Sequence, residues 1–364
     1  MTNQTSQQTN LTLAVLAGDG IGPEITTATQ AVLSAAAGMF GFGISYRALP
    51  AGFAALETHG TTFPQDTLAK ASEADGILMG PVSHNEYPPR DQGGINPSGA
   101  LRIGLDLYAN IRPAYLRPGL KSPLDKSLDL VIVRENTEGF YSDRSMYLGP
   151  GEFMPTPDIA LSVRKVTREA SLRIAETAFA LARKRRKKVT AVHKANVLRV
   201  SDGLFLECVR TVAKGFPDVA YEERLVDAMA AYLVRDPAEF DVIVTTNMFG
   251  DILSDQASEM AGGLGLAASL NAGADHAMAQ AQHGSAPDIA GRDIANPVSL
   301  IASGAMLLNW IGRREGDKRL IAASDAIEKA VDILLEKPET RTRDLGGPLG
   351  TRAFSQKLAE ALQT

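Results

Sequence analysis

The chain has 364 residues, 45% apolar and 22% charged, with 37 basic against 42 acidic side chains and a net charge of -5. That length predicts two domains with enough core to enclose a small-molecule cleft, and the mild acidity excludes a global field for nucleic acid or an anionic membrane. Cys208 is the single cysteine, which excludes an intrachain disulfide and a cysteine-built zinc site.

The opening segment MTNQTSQQTN is polar and uncharged and lacks the basic start and apolar core of a signal peptide. It predicts a frayed tail on a cytoplasmic protein, and no stretch reaches the roughly 18 apolar residues of a membrane span. From Leu11 to Leu16 an apolar run predicts a strand, GDGIGPE a loop, and Ile25 to Leu33 a helix. Gly76 to Met79 predicts a second strand leading into a long loop that ends near Gly99, and Leu128 to Val133 a third that runs into RENTEG. Further strands are expected at Val189 to Val192 and Val242 to Thr246. This alternation predicts an α/β protein on a largely parallel sheet, with ligands carried by the loops that follow the strands. Residues 80–99, 149–158 and 268–297 read as irregular. A domain boundary is expected near Gly99 with a return near Thr245, which gives residues 1–98 plus 246–364 and residues 99–245.

Several residue types in these loops can carry chemistry. After DVIVTT and a turn at NMFG, the segment DILSDQASEM reads as a helix with Asp251 and Asp255 on one face near its start. Like charges at that spacing repel by roughly 0.2–0.5 kcal/mol. A hard divalent cation would give the pair a purpose; two solvated carboxylates at a helix N-terminus are the alternative. Arg102, Arg112 and Arg134 each read singly as a surface residue, yet guanidinium forks grip carboxylates, and together with the aspartates they describe a site for a polyanionic acid. Lys194 and Asn196 follow the strand that ends in HKAN. A lysine there is a surface charge or, desolvated beside a metal, a proton relay. Tyr141 is either a rim aromatic or a general acid. The loop HGSAPDIAGRDIANP from His283 can wrap an adenosine, with Asp288 accepting from the ribose hydroxyls and repelling a 2'-phosphate, or it is a plain Gly/Pro surface loop. GDGIG lacks the spacing of a Rossmann fingerprint. The basic run RKRRKK, Arg183 to Lys188, reads as a solvated helix end, with a nucleic-acid patch as the competing interpretation.

Taken together, GDGIGPE, DLYANIRP, RENTEG, HKANVL, TTNMFGDILSD and HGSAPDIAG resemble the β-decarboxylating dehydrogenases, which include isocitrate, homoisocitrate, 3-isopropylmalate and tartrate/malate enzymes. The motifs follow the family's order over nearly the whole chain. The resemblance implies a two-domain α/β fold of the isocitrate/isopropylmalate dehydrogenase type, with a largely parallel central sheet and not a Rossmann fold. It implies NAD- and Mg²⁺- or Mn²⁺-dependent oxidation and decarboxylation of a 3-substituted malate by a homodimer with shared active sites. By motif it assigns Asp251 and Asp255 to the metal in one subunit and Asp227 to the metal from its neighbour. It assigns Lys194 to deprotonation and Tyr141 to protonation of C3, and Arg102, Arg112 and Arg134 to the malate carboxylate. Asn196, His283, Gly284, Ser285, Ala286, Asp288, Ile289 and Asn296 are implied for the cofactor; Asp288 and Ile289 stand where NADP-using relatives tend to carry Lys and Tyr, which favours NAD.

The resemblance implies that the C3 group is read by the residues before Arg102, here INPSGALR. The segment lacks the glutamate and paired leucines of isopropylmalate enzymes. Asn96 and Ser98 favour a carboxylated C3 group of the isocitrate or homoisocitrate kind, although their order reverses the usual serine-then-asparagine. Isopropylmalate and then tartrate or malate are the alternatives, with a non-catalytic nucleic-acid-binding module using residues 183–188 as the remote one.

Overall fold

The chain enters through β1 (Asn10–Leu16), whose buried side chains lie between two parallel neighbours. The computed structural model describes residues 10–141, 146, 148–149 and 151–363. Apart from Asn10, the polar segment expected to fray therefore lies outside the described residues. The order continues α1 (Gly22–Phe40), β2 (Gly43–Ala48), α2 (Gly52–His59), α3 (Thr67–Ser72), β3 (Gly76–Met79), α4 (Pro97–Gly104), β4 (Ala109–Tyr115) and β5 (Asp129–Glu135). Next come β6 (Glu152–Thr156), β7 (Ile159–Ser162), α5 (Arg168–Ala182), β8 (Lys188–His193), α6 (Ser201–Ala213), β9 (Ala220–Leu225), α7 (Val226–Arg235) and β10 (Val242–Thr245). The chain finishes with α8 (Asn247–Met260), β11 (Leu270–Ala272), β12 (Ala277–Gln280), α9 (Val298–Glu315), α10 (Lys318–Glu336) and α11 (Thr351–Ala361).

Two compact units result, one made of the chain up to Ser98 together with the chain from His276, the other of Gly99–Asp275. The return crossing expected near Thr245 thus falls at Asp275/His276. The reason is packing: α8 lies against β4 and β5, and β11 pairs antiparallel with β4, so the whole stretch after β10 stays with the second unit.

In the first unit the strands run β2-β1-β3-β12, all parallel. Helix α1 starts with Pro23 in its first turn, where a missing N–H costs nothing, and stops at left-handed Gly41. It packs against α9, α10 and α11.

In the second unit the order is β11-β4-β5-β10-β8-β9, parallel except where β4 meets β5 and β11. Helices cover both faces, and strand alternation divides the side chains between them. Val131 and Val133 of β5, with Val242 and Val244 of β10, join Ile174, Ala178, Phe179 and Val209 of α5 and α6. Leu130, Ile132 and Ile243 join Met229, Leu233, Leu253 and Ala257 of α7 and α8. Burying such side chains yields roughly 1.5–3 kcal/mol each.

Three expected details are corrected. NMFG is the first turn of α8, since Asn247 already has a helical partner set and Thr246 is the extended residue before it. Residues 149–158 include β6, which pairs with β7, and residues 268–297 include β11 and β12. Finally, α5 ends at Ala182, so the basic run forms a turn and the first residue of β8 instead of closing a helix. Its side chains are engaged within the unit: Arg183 pairs with Asp218 at 2.7 Å, Arg185 with Asp129 at 2.7 Å and buried Asp241 at 2.8 Å, Arg186 with Asp129 at 3.1 Å, and Lys188 with Glu222 at 3.0 Å. Among the described residues no helix is long and apolar enough to cross a membrane.

Candidate active site

The face of the second unit's sheet beneath α8 is apolar along β5 through Leu130 and Ile132, and then, two residues on, places Arg134 in the same direction. On β4, Ala114 belongs to that apolar face and Arg112 precedes it by two. The two strands are antiparallel, with Arg112 opposite Ile132 and Asn110 opposite Arg134, so both guanidinium groups emerge under one helix. Both side chains are buried, 7% and 4% exposed, so each requires a counter-charge.

Helix α8 supplies it. Leu253 and Ala257 face the core, which turns Asp251, Ser254 and Asp255 towards the arginines. Arg112 Nη1 donates to Asp251 Oδ1 at 3.1 Å, to Ser254 Oγ at 2.7 Å and to Asp255 Oδ1 at 3.4 Å. Arg134 Nη1 donates to the same Asp251 Oδ1, while its Nε and Nη2 donate to Asn247 Oδ1 at 2.9 and 2.6 Å. Tyr141 completes the group: its hydroxyl donates to Asp251 Oδ2 at 3.2 Å, and Arg134 lies 5.8 Å from its ring centroid. Gly250 makes the close approach possible, because a Cβ there would sit 2.7 Å from Cβ and Cγ of Arg134.

Burial would push the Asp251 carboxyl up, but the charges of Arg134, Arg112 and Arg102 and the Tyr141 hydrogen bond outweigh it and hold it below the usual range. Burial pushes Arg112 down to about 10, reinforced by the like charge of Arg134 and opposed by Asp251 and Asp255. At neutral pH Asp251 and Arg112 are therefore an ionised pair. The aspartates keep oxygen atoms towards solvent, with side chains 36% and 51% exposed, while the arginines are closed in. Accessible hard-oxygen donors of this kind fit Mg²⁺ or Mn²⁺.

A second cluster lies at the end of β8. Lys194 Nζ pairs with Asp227 Oδ1 at 2.6 Å, which holds the Asp227 carboxyl below its usual range. Asn196 sits exposed in the adjoining turn. Within one chain, then, two of the three expected carboxylate ligands share an arginine and the third is held by a lysine; no cluster of three or more His, Cys, Asp or Glu occurs among the described residues.

The remaining candidates belong to the first unit. Asn96 is half-buried just before α4, and Ser98 is buried with its hydroxyl donating to Gln280 Oε1 at 2.9 Å. In the loop after β12, Ser285 is buried and Gly284 exposed; Ala286 is left-handed and opens a 3-10 turn that presents Asp288 to solvent, with Ile289 half-buried. Burial pushes the His283 imidazole below its ordinary value. Its Nδ1 lies 2.9 Å from Gly284 O, which makes it the donor, and its buried Nε2 is left as an acceptor without a protein partner. An orphaned acceptor in that loop fits a nucleotide cofactor. Asn296 donates to Asp344 Oδ2 at 2.9 Å and caps the amide of Val298.

GDGIG, which gave no fingerprint, braces this loop: Ile21 N donates to Ser285 O at 2.8 Å, and a Cβ on Gly20 would lie 2.0 Å from that oxygen. Asp19 accepts from the amides of Phe53 and Ser83 at 2.7 and 2.9 Å and from the Tyr87 hydroxyl. Asn247, Ser254 and Asp19 were missed by sequence reasoning. Their signal was their place inside the motifs, since Asn247 and Ser254 are neutral and Asp19 stands as a single charge in GDGIG.

A doubly covered, largely parallel sheet with buried arginines set against accessible aspartates is the setting that the motifs imply for a hydroxy-acid dehydrogenase of the decarboxylating class. The match to the isocitrate/isopropylmalate dehydrogenase family model spans residues 12–362, and the chain belongs to that family. Its members use NAD(P) with Mg²⁺ or Mn²⁺ and oxidise and decarboxylate a hydroxy acid. The chain is 43% identical to the isocitrate/homoisocitrate dehydrogenase of Thermus thermophilus, over 97% of this chain and 98% of the relative. It is 42% identical to the 3-isopropylmalate dehydrogenase of Sulfurisphaera tokodaii, over 92% and 94%. The crystal structure of isocitrate dehydrogenase from Methylococcus capsulatus superimposes with a TM-score of 0.86 at 40% identity, covering 97% of this chain and all of that one.

Proposed function

We propose that the chain is an NAD- and divalent-cation-dependent dehydrogenase for a 3-substituted malate of the isocitrate or homoisocitrate type, acting as a homodimer whose active sites are each completed by both chains. The observation that carries this reading is the convergence of two buried arginines and Tyr141 on Asp251.

When bound, the cation polarises the substrate's hydroxyl and the keto oxygen that replaces it. The residues do the rest. Asp251 and Asp255 would hold the cation and Arg102, Arg112 and Arg134 the substrate's carboxylates, which would leave the buried guanidinium groups with counter-charges. Tyr141, whose hydroxyl donates to Asp251, gives its proton to C3 once carbon dioxide has left. Lys194 and Asp227 serve the partner's site, Lys194 assisting deprotonation of the hydroxyl and Asn196 standing near the nicotinamide. For the cofactor, exposed Asp288 accepts from a free ribose 2'-hydroxyl and repels a 2'-phosphate, while Ile289 offers no cation. Replacing Asp288→Lys is expected to raise the NADP/NAD ratio of kcat/KM; an unchanged ratio would remove this assignment.

Asn96 and Ser98 supply polar groups for a C3 carboxylate. The Ser98–Gln280 bond supports a second reading, because a hydroxyl proton already committed offers a carboxylate one donor fewer and suits an isopropyl group. Absorbance at 340 nm with NAD, Mn²⁺ and isocitrate, homoisocitrate, 3-isopropylmalate, D-malate or tartrate decides between them, and no turnover with any of the five refutes the proposal. Site sharing is tested by mixing Lys194→Ala and Asp251→Asn chains, each inactive alone: mixed dimers regain one intact site only if the two residues serve opposite halves.

A further inference from the structure

Outside the residues given roles above, one charged pair in the second unit is almost wholly closed off from water. Arg164 is 8% and Asp202 0% exposed, and Arg164 Nη1 donates to Asp202 Oδ1 at 2.5 Å. Isolated charges are not kept in such a place without several compensating partners, and these partners share a pattern.

Asp202 stands in the first turn of α6, and its other oxygen, Oδ2, accepts the backbone N–H of Lys194 at 2.5 Å. The next amide, Ala195 N, donates to His193 Nδ1 at 3.0 Å. From there the chain makes one tight turn, with Val197 N and Leu198 N both donating to Lys194 O at 3.0 and 2.8 Å. The Asp202 carboxylate thus pins the backbone from which the Lys194 side chain leaves, while its Nζ pairs with Asp227.

Arg164 reaches the other way. Its Nη2 donates to the hydroxyl of Thr246 at 3.0 Å, the residue from which α8 and its aspartates start, and Nη1 also donates to Ser201 Oγ at 2.9 Å. The guanidinium lies 5.4 Å from the ring of Phe249 on α8 and 5.8 Å from that of Phe140, the neighbour of Tyr141. The following residue, Lys165, exchanges both backbone hydrogen bonds with Gly139 at 2.8 and 3.0 Å, which fixes the same turn from the other side.

We propose that Arg164 and Asp202 are a positioning pair that aims Lys194 at the partner's site from the same buried contact that seats Tyr141 and α8 for the chain's own site. The inference rests on the shared-site reading. It predicts that Asp202 acts in trans: loosening it harms the site on the other chain, because that is where its Lys194 goes. Arg164, which touches both sides, is the joint between them.

The test uses full-length dimers and whichever substrate is turned over. Asp202→Asn homodimers are expected to lose about 100-fold in kcat, the scale of a misplacement near 1 Å, with substrate KM little changed. Mixed dimers of Asp202→Asn with Asp251→Asn chains should regain up to half the wild-type activity, since one site then joins an intact α8 to an intact Lys194 turn. Mixed dimers of Asp202→Asn with Lys194→Ala should regain none, both defects lying on the same half. Recovery in both mixtures or in neither, or a fully active Asp202→Asn homodimer, overturns the proposal. If Asp202→Asn chains do not fold, Asp202→Glu, which keeps the charge and shifts the carboxylate off the Lys194 amide, is read in the same two mixtures. Failure of the Lys194→Ala and Asp251→Asn mixture to recover locates the fault in the shared-site reading instead.

Discussion

Asp251 shows how much of the site depends on one carboxylate. It balances two guanidinium groups that the sheet has buried, accepts from Tyr141, and keeps a third of its surface open. The tyrosine is where chemistry and structure separate most cleanly. Tyr141→Phe removes a proton donor and one hydrogen bond to a partly exposed group, so kcat is expected to fall by about 100-fold or more, while substrate KM and Tm change little. Steady-state kinetics beside a melting curve checks this; a matching loss in KM would make Tyr141 a binding residue. The charged members of the site were readable through the motifs that carry the family resemblance, since by spacing alone each reads as a surface charge. Asn247, which holds two nitrogens of Arg134, was not readable, since an asparagine after two threonines carries the same signal as a turn.

At the scale of elements, the site exists because α8 can lie close to β5. Gly250 provides the gap, and its value is invisible in sequence, where it looks like one more turn residue in NMFG. Gly250→Ala would drive a methyl group into the Arg134 stem. Overpacking of that kind costs roughly 1–3 kcal/mol, and the displaced guanidinium should raise substrate KM more than it lowers Tm, read by kinetics and thermal melting. The strands themselves were legible from their apolar runs, and β3 and β10 fall where the pattern put them. Short or exposed strands were not: every residue of β6 and β7 is exposed, so no alternation marks them. The basic run shows the converse failure, a pattern plain in sequence whose partners, Asp129, Asp218 and Asp241, are scattered through it.

For the whole molecule, stability should depend on pH through a group that the chemistry does not use. Burial pushes the Glu138 carboxyl up from 4.5 to about 7; the Thr167 amide bond opposes this and the charge of Glu135 adds to it. A folded value above the unfolded one means the native state holds the proton longer, so this contribution is present below pH 4.5 and lost as pH rises through 7. Glu138→Gln should therefore flatten the decline in Tm between pH 5 and 8, and identical slopes in both proteins would rule it out. Fold class was legible because helix and strand periods alternate along the chain; the return crossing was not, because α8 and β11 stay with β4 through contacts that composition does not record.

The antiparallel match of β4 to β5 carries a further consequence, for folding. Were β4 to slip by one residue, Arg112 would swing to the opposite face, among Ala175, Ala178 and Phe179, away from Asp251 and Asp255. A cation moved into hydrocarbon away from those carboxylates is costly enough to disfavour that alignment, so the side chains proposed to hold substrate would also proofread the sheet as it assembles. Arg112→Leu should then fold with a looser β4, visible as faster amide hydrogen exchange along that strand, and unchanged exchange would show that the turns alone keep the alignment.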